Sequence, residues 1–161
     1  MIWWAIGLSA LFLWGGIVAV RPSPAQRRIA NLRQAAIQRG LRVRLGSQLK
    51  LGLETDLSRV IAYILHRPKT LKNSSGTLLL DPATAEVKHA VGIFARPDAA
   101  LEEIIKGLPV GCSLLVSNSS EVMIGWDERG SEDSVAQISN MLEELRQWSE
   151  KRPGKTIQEG R

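Results

Sequence analysis

A run of 19 residues without a formal charge, Ile2 to Val20, opens the chain and stops abruptly at Arg21-Pro22-Ser23-Pro24, with Arg27 and Arg28 close behind. As a helix at about 1.5 Å per residue the run would span roughly 28 Å, close to the hydrocarbon thickness of a bilayer. A helix apolar on every face cannot be wrapped by the roughly 140 residues that remain once these have built a core of their own. A cleaved signal peptide fits less well. Only Met1 precedes the run, and Val20 followed by Arg21-Pro22 is a poor cleavage site. Residues 1–20 therefore read as a retained transmembrane anchor.

The basic residues give the orientation. Arg21, Arg27, Arg28, Arg33, Arg39, Arg42, Arg44 and Lys50 lie between residues 21 and 50 with no acid among them, and the first acid in the chain is Glu54. Positive charge beside a span stays on the cytoplasmic side, which puts the N-terminus outside and residues 21–161 inside. The rest of the chain holds 13 Lys and Arg against all 16 acids, a net of −3. The basic pI of about 9.8 is thus a local property, and it argues for anionic lipid headgroups as the partner of that segment. Nucleic acid is disfavoured, because Tyr63, Phe94, Trp126 and Trp148 each sit within an element's apolar pattern instead of alternating with basic residues.

Pro22 ends the first helix, and Ser23-Pro24 reads as an N-cap followed by proline at the first position of a second. This basic juxtamembrane helix, within residues 21–40, runs from about Pro24 to Arg39 and has Gly40 as its stop. It carries Ile29, Leu32 and Ala36 on one stripe, and Arg21, Arg27, Arg28, Arg33 and Arg39 as the membrane-surface residues. Such a helix can lie along headgroups or dock on the domain that follows.

Residues 41–152 change period. Leu41 to Leu45 alternates as a strand with one wet face, Arg59 to His66 is apolar on both faces and reads as an interior strand, and Leu49 to Asp56 fits neither pattern cleanly. Gly76 to Leu80 and Val87 to Ala95 are further strands, the latter interrupted at Gly92. Pro97 to Lys106 is helical from its Asp98 cap. Val110 to Val116 and Val122 to Asp127 flank Ser117-Asn118-Ser119-Ser120 as a hairpin. Ser131 opens a last helix with Val135, Ile138, Leu142 and Leu145 at helical spacing, and residues 153–161 read as a disordered tail. The expected fold class is α+β: a transmembrane helix and a basic juxtamembrane helix, then a small, mainly antiparallel sheet with helices on one face.

Chemistry is sparse. His66 and His89 stand apart from any ligand-spaced Cys or His, so neither a metal nor another cofactor is expected, and Cys112 has no disulfide partner. No phosphate loop, nucleophile elbow or zinc motif is present. Adjacent acids such as Glu102/Glu103 and Glu143/Glu144 point about 100° apart on a helix and read as solvated faces. His66-Arg67-Pro68-Lys69 with Lys72 reads as a basic patch on a loop. The most distinctive stretch is Trp126-Asp127-Glu128-Arg129-Gly130, where an aromatic, two acids, a base and a turn glycine end a strand. Trp126, Asp127, Glu128 and Arg129 are the partner-binding candidates.

The Ile2-Trp3-Trp4 opening, Arg21-Pro22-Ser23-Pro24-Ala25-Gln26-Arg27-Arg28, Leu41-Arg42-Val43 and the Trp126 to Gly130 stretch together resemble a group of small, uncharacterised single-pass inner-membrane proteins of Gram-negative bacteria. Some of these are labelled as an accessory subunit of the preprotein translocase. The resemblance covers the first 45 residues and a segment near the end. It implies a bacterial inner-membrane location and carries over no catalytic residue. The expected function is a membrane-tethered, non-catalytic interaction or adaptor module that meets a membrane-associated protein, with self-association through Ala5-xxx-Ser9 or Gly15-xxx-Ala19 as a further contact. The alternative is a membrane-anchored enzyme of unknown reaction, with a cleft around Cys112, His89 or Asp127.

Overall fold

The computed structural model describes residues 23–48, 59–71 and 74–152. The chain divides into two compact units, Met1–Asn31 and Leu32–Arg161. The described part of the first unit is the opening of helix α1 (Pro24–Gln38). It starts as the Ser-Pro pair dictates: the Ser23 amide donates to Gln26 Oε1 at 2.8 Å and the Gln26 amide donates to Ser23 Oγ at 3.2 Å. This reciprocal box satisfies donors that the first turn leaves without helical partners.

The second unit begins inside α1. Leu32, Ala35 and Ala36 are buried in the same core as the sheet, and the helix ends in a Schellman motif. The Gly40 amide donates to Ile37 O at 2.9 Å and the Leu41 amide to Ala36 O at 3.1 Å. Gly40 takes φ +77°, a left-handed conformation that a side chain would strain, and this turn delivers Leu41, 3% exposed, into the core.

Six strands follow: β1 (Arg42–Leu45), β2 (Ile61–His66), β3 (Gly76–Leu80), β4 (Val87–Gly92), β5 (Cys112–Ser117) and β6 (Glu121–Trp126). They form one antiparallel sheet in the order β1-β2-β6-β5-β3-β4. Helix α2 (Ala99–Lys106) joins β4 to β5, and α3 (Glu132–Glu150) closes the fold.

The register explains the burial. Val43, Tyr63, Ile124, Leu115, Leu78 and Ala90 stand opposite one another across all six strands. Strand side chains alternate between faces, so this row lies on one side. There it meets the inner stripes of the helices: Leu32, Ala35 and Ala36 of α1, Leu101, Ile104 and Ile105 of α2, and Val135, Ile138, Leu142, Leu145 and Trp148 of α3. The adjacent row, Arg42, Ile64, Met123, Val116, Thr77 and Val91, faces the other way. Its central members join Ala62 and Leu114 in a smaller buried cluster. Apolar residues on both faces of β2 match this position between β1 and β6.

The expectation of a transmembrane helix in the fold is corrected. Among the described residues no helix is long and apolar enough to cross a membrane. The physical reason is visible in each helix: α1 carries Arg27, Arg28 and Arg33, α2 carries two glutamates and a lysine, and α3 alternates acids with its single apolar stripe. Residues 1–20 and Arg21 lie outside the described residues, as do Leu49 to Asp56 and residues 153–161. Among the described residues the α+β architecture is six antiparallel strands and three α-helices, and none of those helices supplies the expected single membrane pass.

Among the described residues one cation is buried inside this domain. Arg67, just past β2, has a side chain at 0% exposure. Its Nε donates to Asn118 O at 3.1 Å, Nη1 to Arg146 O at 3.5 Å, and Nη2 to both Ser117 Oγ and Ser149 Oγ at 2.7 Å. The nearest carboxylate is Glu150, 3.8 Å away. Burial lowers the guanidinium's pKa, against the pull of Glu150. Four acceptors and the negative end of the α3 dipole compensate the charge. Arg67 is therefore a clamp between β2, the β5–β6 turn and the end of α3, and is absent from the exposed patch expected of His66, Lys69 and their neighbours.

Arg67→Met removes all four hydrogen bonds of the buried guanidinium, although Asn118 O keeps its bond from Ser74 Oγ and Arg146 O its bond from Ser149 Oγ, and is expected to cost about 3 kcal/mol of folding stability. Arg67→Lys should not restore it, because an ammonium offers three donors from one point. Urea unfolding monitored by circular dichroism measures both; a loss under 1 kcal/mol for Arg67→Met would refute the clamp.

Candidate functional site

The turn after β6 splits the four partner-binding candidates between interior and surface. Trp126 is 0% exposed, tilted against Tyr63 with ring centroids 5.8 Å apart, and its Nε1 donates to Val110 O at 2.9 Å. It is a core residue. Asp127 is half-buried; its Oδ1 accepts from the Arg129 amide at 3.1 Å, and its Oδ2 lies 3.2 Å from Arg129 Nε. Gly111, φ +93°, passes so close that a Cβ there would lie 2.2 Å from Asp127 Oδ1. Arg129 has a side chain 83% exposed, where an ion pair contributes little.

Glu128 turns inward. It is 4% exposed and adopts φ +59°, a conformation unusual for a residue with a side chain. Its carboxylate accepts from Arg33 Nε at 2.9 Å, Arg33 Nη2 at 2.8 Å and Tyr63 Oη at 3.0 Å. The bidentate fork suits a carboxylate and offsets the desolvation of the acid. Burial, reinforced by the charge of Glu128, pushes the Tyr63 phenol well above its ordinary range and keeps it a donor.

Arg33, expected at a membrane surface, thus holds the β6–α3 turn. Of the other arginines of that group, Arg39 donates to Ala35 O at 3.4 Å and is exposed. Arg27 and Arg28 are exposed on the part of α1 that belongs to the first unit.

The residues weighed for catalysis do not converge. Cys112 is buried in β5, and burial, aided by the charge of Asp127, raises its thiol far from a reactive thiolate. His89 lies on the edge strand β4, beyond β3, and is exposed. Among the described residues no group of three or more His, Cys, Asp or Glu is placed to hold a metal ion.

A different feature carries recognition geometry, a groove of about 410 Å³ between α2 and α3. Asp98 builds it. Its Oδ1 accepts from the Leu101 amide at 2.9 Å, capping α2, and from Trp148 Nε1 at 2.9 Å, while its Oδ2 accepts from Arg152. Arg152 lies 4.9 Å from the centroid of the Trp148 ring and donates to Arg96 O at 2.8 Å. Phe94 stacks on Trp148 with centroids 5.5 Å apart. Ala100 is exposed in it, Ile104 and Trp148 lie beneath as its floor at 4% and 6% exposure, and the exposed Glu103, Glu144, Gln147 and Lys151 are its rim.

Sequence reasoning placed Asp98 as a cap and Trp148 in an apolar pattern but did not join them. Fifty residues separate the pair, and only the packing of α2 on α3 brings them together. Burial opposes ionisation of Asp98, but the bonds from Leu101, Trp148 and Arg152 prevail and hold its carboxyl below the usual range.

A depressed carboxyl pKa contributes stability that is complete above the unfolded value and is lost as pH falls through the folded one. Thermal unfolding should therefore lose midpoint temperature below about pH 4, and Asp98→Asn should flatten that acid limb. An unchanged limb would show that Asp98 makes no such contribution. Tyr63→Phe, which removes one donor to a buried carboxylate, is expected to cost about 2 kcal/mol in the same measurement at neutral pH.

The chain matches no protein-family model, no curated protein and no solved structure.

Proposed function

We propose that this protein is a non-catalytic interaction module and that the groove between α2 and α3 is its docking surface. The observation that carries the reading is the contrast between the groove's frame and its rim. Asp98, Trp148 and Arg152 satisfy one another, so the frame is rigid before any partner arrives, which lowers the ordering cost of association. Among the described residues, Glu103, Glu144 and Lys151 on the rim enter no ion pair. An apolar floor with a polar rim is the arrangement of a recognition surface. The Trp126 to Arg129 turn supports the domain from the other end of α3 and offers only Asp127 and Arg129 to solvent.

A photo-crosslinking amino acid at Gln147 in the full chain, expressed in its own host, tests this against the same probe at Lys69. A product specific to Gln147 is expected, and Ala100→Arg, which fills the groove from an exposed position, should abolish it with the thermal midpoint unchanged. Identical products at both positions, or a product that survives Ala100→Arg, would refute the groove as the docking surface.

A further inference from the structure

The groove has a direction. Gly107, after α2, packs so close to Met141 of α3 that a Cβ would lie 2.8 Å from its sulfur, while Asp98, before α2, bonds Trp148 and Arg152 at the other end of α3. The helices are therefore antiparallel. Glu103 of α2 and Glu144 of α3 belong to one end of the groove, and Lys151 to the other. Glu144 and Lys151 are separated by two helical turns, about 10.5 Å along α3. Asp98 and Arg152, at the Lys151 end, neutralise each other. What remains is an anionic end, an apolar floor and a cationic end.

We infer that the groove takes an amphipathic helix of a partner protein, carrying Lys or Arg at one end, apolar side chains in the middle and Asp or Glu about two turns later. This rests on the docking surface proposed above and names its occupant. Charge complementarity sets the polarity: a cation between Glu103 and Glu144, an acid beside Lys151. Apolar residues at i+3 and i+4 meet exposed Ala100 and the accessible edges of Ile104 and Trp148. The walls decide between a helix and an extended segment. Both are helices whose backbone groups are already paired internally, so they offer an extended peptide no ladder, and each amide or carbonyl that docking buried against them would go unpartnered. A helix brings its backbone bonds with it. The like charges of Glu103 and Glu144 also disfavour the reverse orientation, which is where specificity arises.

Two short alanine-based helical peptides test this by isothermal titration against the full chain. One carries Lys, Leu, Leu and Glu at i, i+3, i+4 and i+7; the other has Lys and Glu exchanged. The inference expects the first to bind at least tenfold tighter, and the double variant Glu103→Lys/Glu144→Lys to reverse that preference. Both substitutions are on exposed positions, and the thermal midpoint checks that the fold is kept. Equal binding of the two peptides, or a preference unmoved by charge reversal, overturns it. Absence of peptide binding while the Gln147 crosslink persists overturns the occupant and leaves the docking surface standing. Loss of both removes the two together.

Discussion

The buried guanidinium of Arg67 determines where the last turns of α3 lie, and the groove is made of those turns. Its bonds to Arg146 O and Ser149 Oγ hold the helix end, while those to Ser117 Oγ and Asn118 O hold the hairpin turn. A charge in the interior is costly unless each of its donors is used. That cost makes the geometry exclusive, since any displacement of α3 would strand donors in a dry site. Trp148, between Arg146 and Ser149 on one side and Lys151 on the other, is thereby set against Phe94 and Asp98.

The opposite end of the domain uses a carboxylate for the same purpose. Glu128 accepts a left-handed backbone because Arg33 and Tyr63 converge on it. Strain of this kind, on the order of 1–3 kcal/mol, persists only where surrounding bonds over-determine the conformation. Helix α3 is thus anchored before its start by an inward acid and at its end by an inward base. Exposed pairs such as Asp127 with Arg129, or the surface contacts of Arg146 with Glu143 and Glu150, lie where solvent screens them and decide little.

Much of the local structure was legible in the residues. Ser23-Pro24 announced a helix start, Gly40 its left-handed stop and Asp98 the cap of α2, because each depends on backbone groups within a few positions. The apolar spacing of Val135, Ile138, Leu142 and Leu145 did the same for α3. The site was far less legible. The Trp126 to Arg129 stretch looked like a surface motif, yet strand alternation and register turned Trp126 into the core and the following turn aimed Glu128 at Arg33. The basic stripe of α1 looked uniform, and nothing local separated Arg33, which pairs with a residue 95 positions away, from Arg27.

By itself the sequence determined the periods: an uncharged run at the start, a helix with one narrow apolar stripe, alternating strands and an amphipathic last helix. These follow from bond geometry and short-range sterics, which any segment carries with it. Only the tertiary structure decided the strand order β1-β2-β6-β5-β3-β4, the inward turn of Arg67 and Glu128, and the meeting of α2 with α3 that forms the groove. Those depend on contacts between residues tens of positions apart. Their free energies exist only when the whole core closes, so no single segment records them.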